Sequence, residues 1–430
     1  MNRSAAPARH EATGTARLLA AWHADGRPAN LTEHLDRHGL PPGPGACLIE
    51  AVEDAGLTGR GGAGFPTGRK MRSVARQRRR AVVVANGMES EPASRKDQTL
   101  LAVAPHLVLD GAILAARAVG ADRVHLCVPR TRTGQLRDLA AAIDERRSAG
   151  LDVLRISLHA LPHGYVTSES TALVHWLNGG PARPLGARTA TCEKGVRGRP
   201  TLVQNVETLA HLALIARHGP DWFRERGTAE TPGTILVTLS GAVRRPGVLE
   251  VEPGKTIDEL LQQAGGPAEP LQAVLLGGFA GTWLPVEQAL GLPFTRGGLA
   301  AAGAAPGAGV VAALPRDACG LAETARILTY LAGNGAEQCG PCRFGLPAVA
   351  EDFAALAAGR GDADLLSRLR RRVGLLPGRG ACGHPDGAAR LAAGALTAFA
   401  DDVEHHRRHG HCRRPSVLAV PRETRLKEWR

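Results

Sequence analysis

Two groups of residues in this 430-residue chain have the types and spacing to do chemistry. The first is the run Gly59-Arg60-Gly61-Gly62-Ala63-Gly64-Phe65-Pro66-Thr67-Gly68, a glycine pattern of the GxGxxG kind. Glycines let backbone N–H groups close on a phosphate, and Arg60, Arg69 and Lys70 add positive charge. The loop lacks dinucleotide-fold context, because a helix rather than a strand precedes it. A plain structural turn accounts for the glycines equally well. The loop's company strengthens the binding reading. Asn86, Glu89 and Glu91 follow the apolar run Ala81–Ala85, at the carboxyl end of an expected strand, where α/β sheets bind ligands.

The second group is Cys339-Gly-Pro-Cys342, with Cys382 40 residues beyond Cys342. Three readings stand together. An iron–sulfur cluster needs four ligands, and Cys339, Cys342 and Cys382 supply three. A structural zinc would take the same three with His384. A thioredoxin-like dithiol shares the Cys-Gly-Pro-Cys string but belongs after a strand in a βαβ unit; here a helix precedes it, and that reading is set aside. Unrelated free cysteines are the bland alternative. A tail cluster, His405, His406, His409, His411 and Cys412, has metal-binding residue types, with His405 and His409 at i, i+4; it reads as a solvated basic terminus. Cys47, Cys127, Cys192 and Cys319 have no partner by spacing and read as small buried residues.

The elements that must position these groups follow from periodicity. Residues 46–55 predict a short helix closed by Gly56. Ala81–Ala85, Val124–Val128 and Val153–Leu158 predict strands, and Asp97–Val119 and Thr131–Ser148 predict helices. Alternation of strand and helix implies a parallel sheet, so residues 31–228 read as one α/β domain after a loose tail over 1–30. Residues 231–315 read as a small β-rich domain, with strands at Thr234–Ser240, Val248–Val251, Val274–Leu276 and Val310–Leu314 and one helix, Ile257–Ala264. From Asp317, a possible N-cap, four amphipathic patterns predict a four-helix bundle over 317–410. Residues 411–430 read as a loose basic tail.

Composition bounds the rest. Lys and Arg total 53 against 41 Asp and Glu, a net charge of +12, which favours acidic partners. Nucleic acid is excluded as that partner, because no basic helix with interleaved aromatics and no reader motif occurs. No apolar run reaches the ~18–20 residues of a membrane span. The stretch Met1 to Pro28 lacks a secretory apolar region, and eight cysteines are too sparse for a disulfide framework, so the chain reads as cytoplasmic.

These residues together resemble a known family. Residues 56–68 with Lys70 resemble the NADH-binding flavoprotein subunit of respiratory complex I and its relatives in NAD-linked hydrogenases and formate dehydrogenases. Asn86-Gly-Met-Glu-Ser-Glu-Pro92 followed by Lys96-Asp97 resembles the family's acidic strand-end motif, and Glu169-Ser-Thr-Ala-Leu173 its second acidic motif. Gly198–Leu209 resembles its flavin segment, Ser240–Val248 the start of its β-grasp (SLBB) domain, and Cys339, Cys342-Arg343 and Cys382 its cluster motif. The resemblance runs in order over residues 45–400.

The resemblance implies an α/β, Rossmann-like FMN domain, a β-grasp domain and a helical cluster domain. It implies an electron-transfer oxidoreductase of NADH dehydrogenase type, with FMN, a 4Fe-4S cluster and NAD(H) as substrate. By position, Gly59, Arg60, Gly61, Gly62, Gly64, Lys70, Asn86, Glu89, Glu169, Asn205 and Thr208 would hold FMN, and Phe65 and Glu91 would face NADH. Cys339, Cys342 and Cys382 would hold the cluster. The implied partner is a ferredoxin-like or other iron–sulfur protein, or a larger oxidoreductase complex reaching a membrane through its partners.

The sequence departs from the family in ways that bear on function. Ala336 stands where the first cluster cysteine falls, leaving His384, Glu337 or an outside group as substitutes. Met88 replaces an aspartate, Ser168 and Ser170 flank Glu169 where the family has Gly and Glu, and Gln204 replaces an asparagine. Ser73 and Ala190 stand where aromatics clamp the adenine, and a lost stack costs on the order of 1 kcal/mol. The competing reading is a non-catalytic module with a structural zinc or a lost cluster, acting in assembly.

Overall fold

The computed structural model describes residues 16–43, 47–152, 154–186, 190–412, 416–421 and 428–429. Expectations that fall on 1–15, on Ala46 and Val153, and on most of the last stretch lie outside the described residues.

The first unit is built on four parallel strands, β1 (Ala81–Asn86), β2 (Ala121–Pro129), β3 (Ile156–Leu161) and β4 (Thr201–Asn205), in the order β3-β2-β1-β4. β1 is apolar on both faces because both faces are covered. Ala81, Val83 and Ala85 enter the main core with Leu107 and Leu209 from the helices Pro105–Ala118 and Val206–Arg224. Val82 and Val84 enter a second core with Leu173 and Val174 of the helix Ser170–Leu177. The pairing of β1 with β4 sets Asn86 opposite Asn205, so the two carboxamides share the carboxyl edge of the sheet.

The single helix expected over Asp97–Val119 is two, Lys96–Val103 and Pro105–Ala118, bent by 97°. Pro105 starts the second helix and forces Ala104 out of helical geometry, at φ −137° and ψ 52°. Among the described residues no single helix is long and apolar enough to cross a membrane. This bent pair is apolar because it is buried in the domain.

The second unit is a five-stranded sheet of β5 (Ile235–Gly241), β6 (Gly247–Val251), β7 (Leu271–Leu276), β8 (Thr282–Pro285) and β9 (Val310–Pro315), ordered β6-β5-β9-β7-β8. Its helix Ile257–Gln263 opens on a capping box between Thr256 and Glu259. Neither β4 nor β8 has a sequence expectation behind it: the four residues of β8, Thr282–Pro285, are too short to show alternation, and buried Trp283 holds them in place.

The third unit is helical: Gly320–Gly333, Leu346–Ala357, Leu365–Gly374, His384–Ala398 and Ala400–His409. It has five helices rather than four, because the last pattern breaks at Phe399, whose backbone leaves the helix at ψ 35°. Cys319, not Asp317, caps the first of them; its Sγ accepts the Ala322 N–H at 3.4 Å.

Both ends depart from the expectation of loose tails. Leu18, Leu19 and Trp22 are buried, and the Leu18 and Leu19 amides donate to the Glu250 carboxylate at 2.9 Å. Near the other end, Val417 N donates to Glu323 at 2.6 Å, Leu418 is buried, and the carbonyl of Trp429 accepts from Ala182 at 2.8 Å. Basic composition does not reveal such docking, since a few apolar residues and backbone amides supply it.

The first unit depends on Asp110, which is 0% exposed. Its carboxylate bonds Arg146 and His34, each at 2.8 Å, and also pairs with Arg217. Burial alone would raise its pKa; the bond with His34 and the guanidinium charges outweigh burial and hold it below the usual carboxylate range. Its contribution is therefore present above about pH 4 and lost as pH falls toward the folded-state value. Asp110→Ala strands two guanidiniums and is expected to cost about 3–5 kcal/mol in urea unfolding at pH 7. The difference between wild type and variant shrinks at pH 3.

Candidate functional site

The glycine loop is a closed turn. Gly59 N donates to Phe65 O and Thr67 N to Leu57 O, both at 2.9 Å, after which the helix Thr67–Ala75 begins. From behind, Arg60 N donates to Thr208 Oγ1 at 2.9 Å and the buried Arg60 guanidinium donates to Pro232 O at 2.8 Å. From the front, Arg296 of the second unit donates to Ala63 O at 3.0 Å. Gly64, at φ +65°, is needed here: a Cβ would lie 2.5 Å from that guanidinium.

The loop faces Asn86 and Asn205 across a cleft with two lobes. One lobe, about 500 Å³, is lined by Gly61, Gly62, Glu89, Glu91, Lys96 and Asp97, among others. The other, about 410 Å³, includes Gly59, Gly64, Phe65, Lys70, Glu169 and Cys382. Gly61, Asn86, Tyr165, Ser168, Asn205 and Ala280 border both. Each lobe falls in the roughly 300–1,000 Å³ range of cofactor and ligand sites.

Arg60 and Thr208, both expected to hold a cofactor, lie behind the loop instead and fix its shape. Glu89 reaches the cleft wall, but its carboxylate is committed to structure. It accepts from Asp97 N at 2.9 Å, Gln98 N at 3.0 Å and Ser94 Oγ at 2.8 Å at the start of the helix Lys96–Val103, and pairs with Arg132 at 3.3 Å. Glu169 likewise caps its helix through Thr171 N at 2.9 Å and Ala172 N at 3.1 Å. Phe65 is 52% exposed at the lip, which leaves its ring open to stacking. Met88 is buried among Val82, Val84 and Cys127, so an apolar contact replaces the carboxylate expected there.

Sequence reasoning named no cleft role for Tyr165, and it treated Ser168 and Gln204 only as departures from the family motifs and His384 only as a substitute metal ligand. Tyr165 had a usable signal: it is one of two tyrosines and lies four residues before Glu169.

The cleft carries unmet polar valence. Lys70 is half-buried, and its Nζ donates to Val203 O at 2.5 Å, its hydrogen bond among the described residues. Burial lowers its pKa, against smaller raising effects from Cys192 and Glu169. An ammonium without a bonded carboxylate on a cleft wall suits an anion. Gln204 Nε2, on the same lobe, is buried without a partner among the described residues. These donors and the backbone nest fit a phosphate-bearing flavin such as FMN.

Cys382 stands on the far wall of the cleft, with Cys339 and Cys342 close enough behind it to act on its thiol and on each other. Cys339 and Cys342 flank the start of a single π turn, Pro341–Gly345. The Cys342 thiol is buried, which pushes it up to about 11, while N–H donation from Glu337 and Ala336 pulls it down. Cys382 is raised by burial and accepts from His384 N–H. Cys339 acts on both of the others. A tetrahedral zinc brings thiolates within about 3.8 Å of one another, given Zn–S near 2.3 Å. Among the described residues Cys339, Cys342, Cys382 and His384 form no set of three with ligand atoms within 4.8 Å. A single tetrahedral zinc does not fit this arrangement as it stands, and the N–H donors aimed at sulfur suit thiolates of an iron–sulfur site. Ala336 is buried and offers a methyl group only. The His384 ring bonds Leu331 O through Nε2 at 2.8 Å and leaves Nδ1 buried without a partner among the described residues.

Comparisons with known proteins follow the same three units. Residues 52–214 match the family model described as the Nuo51 FMN-binding domain. Residues 236–278 match the SLBB domain, and residues 322–406 the NADH-ubiquinone oxidoreductase-F iron-sulfur binding region. The chain is 32% identical over 372 residues to the F subunit of NADH-quinone oxidoreductase from Streptomyces coelicolor, covering 84% of this chain and 82% of that one. It is 31% identical over 373 residues to the Escherichia coli protein of the same name, covering 83% of each. A solved NAD+-reducing nickel–iron hydrogenase in the H2-reduced state superposes with a TM-score of 0.80 at 31% identity, covering 92% of this chain and 68% of that chain.

Glu91 supplies a pH test of the cleft. Burial pushes it up to about 7, against hydrogen bonds from Ala93 N, Tyr165 OH and Phe279 N, the last two at 2.9 Å. A carboxyl raised on folding favours the folded state below the unfolded pKa of about 4.5 and loses that advantage as pH rises through 7. The loss is roughly 3 kcal/mol. Glu91→Gln cannot ionise, so its unfolding midpoint is expected to fall less than that of the wild type between pH 5 and 8.

Proposed function

The chain belongs to the family of NADH-quinone oxidoreductase F subunits, and we propose that it serves as the NADH-oxidising, electron-transfer component of an oxidoreductase complex. When bound, FMN supplies the exchange between hydride and single electrons, and a 4Fe-4S cluster supplies the one-electron relay. The observation that carries this reading is that Cys382 lines the same cleft as Gly61, Asn86 and Asn205.

Each part of the cleft has a share in the work. The amides of Gly61, Gly62 and Gly64 and the Lys70 ammonium would hold the phosphate, with Gly59 closing the turn through Phe65 O. Asn86, Asn205 and Gln204 orient the polar edge of the flavin, with Glu169 beside them. Arg60, Thr208 and Glu89 keep loop and strand end in register. Phe65 stacks on the dinucleotide at the lip, and Glu91, bonded to Tyr165, faces it from the other lobe. Ser73 and Ala190 add no aromatic stack, so NADH is held more weakly than by a full clamp. Cys339, Cys342 and Cys382 would hold the cluster, and His384, whose Nδ1 has no partner among the described residues, would supply the fourth donor.

The partner is an iron–sulfur protein of ferredoxin type or the next component of the complex. A net charge of +12 speeds encounter with an acidic surface. Eight free thiols suit the reducing cytoplasm, with membrane association through partners. The non-catalytic alternative is not favoured, because the flavin cradle and the thiol site share one cleft.

Protein purified without oxygen is expected to bind FMN and to bleach at the flavin absorbance on adding NADH. Failure to take up added FMN would overturn the proposal. Lys70→Ala is expected to weaken FMN binding roughly 10–100-fold, as loss of a charged hydrogen bond does. Phe65→Ala is expected to raise the NADH KM about fivefold with FMN affinity unchanged. Cys382→Ser is expected to lower bound iron and leave flavin content intact.

A further inference from the structure

Away from the cleft, the fold gathers three soft ligands that sequence spacing left apart. Cys319 caps the helix Gly320–Gly333, His406 lies in the last turn of the helix Ala400–His409, and Cys412 follows on the outgoing chain. Cys319 and His406 are each 1% exposed. Their ligand atoms and Cys412 Sγ all lie within 4.8 Å of one another. His406 Nε2 is 3.8 Å from Cys319 Sγ and 3.1 Å from Cys412 Sγ.

We propose that Cys319, His406 and Cys412 form a structural zinc site that clamps the C-terminal stretch to the helical unit. Zn–S near 2.3 Å and Zn–N near 2.0–2.1 Å in a tetrahedron put neighbouring ligand atoms about 3.4–3.8 Å apart, and the observed separations bracket that range. Two thiols and an imidazole select zinc over magnesium or calcium. Burial raises the Cys319 thiol, and one backbone N–H works against that. Cys319 Sγ stands at the N-terminus of a 14-residue helix and accepts Ala322 N–H at 3.4 Å. Binding releases the two thiol protons to solvent and leaves His406 neutral. A water takes the fourth position.

The chain around the site is arranged as a clamp requires. Past Cys412, Val417 N donates to Glu323 in the first turn of the Cys319-capped helix, and Leu418 O accepts from Arg326 at 3.2 Å. Val417, Leu418 and Val420 pack on the helical core. The cluster residues Cys339, Cys342 and Cys382 take no part. Nor do His405 and His409, which stack on each other with ring centroids 5.0 Å apart.

The full-length protein, purified anaerobically with reductant, is expected to carry about one zinc per chain by elemental analysis, beside its iron. After chelation, cobalt(II) is expected to restore a thiolate charge-transfer band and the visible bands of a tetrahedral site. Cys412→Ala lies outside the helices and His406→Gln keeps its helix. Each is expected to weaken metal binding about tenfold or more while iron and flavin contents stay unchanged. Wild-type protein that holds no zinc and takes up none from a zinc titration would overturn the proposal. So would zinc retained in both variants, or a mass deficit of two hydrogens restored by dithiothreitol, which would mark a Cys319–Cys412 disulfide.

Discussion

The buried ammonium of Lys96 holds the cleft together. It bonds Asp97 at 2.7 Å and Glu207 at 2.8 Å, with all three side chains almost wholly out of water. Asp97 in turn accepts from Asn205 at 2.6 Å, and Glu207 accepts Leu236 N of the second sheet at 2.9 Å. One cation thus ties the end of β1 to the end of β4 and ties both to the neighbouring unit. A buried charge is tolerated only when its partners are in place, so the network enforces one arrangement of strand ends, loop and second sheet. Asn205 at the cleft floor has its position as a consequence, and strand pairing sets Asn86 opposite it.

The cleft walls show how the units divide the work. The first supplies the nest of amides, the unmatched Lys70 ammonium and the strand-end carboxamides. The second closes over the front through Arg296 and the Phe279 amide. The third supplies Cys382 and His384 to the shared lobe. Glu91 illustrates the cost of assembly: a carboxyl enclosed by Tyr165, Phe279 and Ala93 is satisfied in hydrogen bonds yet resists ionisation. Relay to a thiol site needs this closeness, and it comes from the packing of units far apart in the chain.

The departures from the family pattern have physical accommodations. Met88 is buried in an apolar core where an aspartate would be stranded. Ser170 donates to Glu169 at 3.1 Å in place of a second carboxylate. Ala336 packs its methyl inside the helical unit while its backbone N–H, with that of Glu337, points at Cys342 Sγ. The N–H nest around that sulfur persists although one thiol has gone.

Local pattern determined much of this protein from sequence alone. Apolar runs marked three of the four parallel strands, β4 being read only as a flavin segment, helical spacing marked the bundle, and the glycine loop, strand-end carboxamide and cysteine pair marked the candidate site, because each depends on residues close in the chain. Tertiary structure decided the rest. It turned Arg60 and Thr208 behind the loop, bent the helix at Pro105, and seated Leu18 and Leu418 in cores that basic tails do not advertise. It also brought Cys319 to His406 and Cys412, a meeting that no spacing rule contains. The reason is common to all of these: orientation and long-range proximity are set by which buried polar groups find partners, and those partners lie tens to hundreds of residues away.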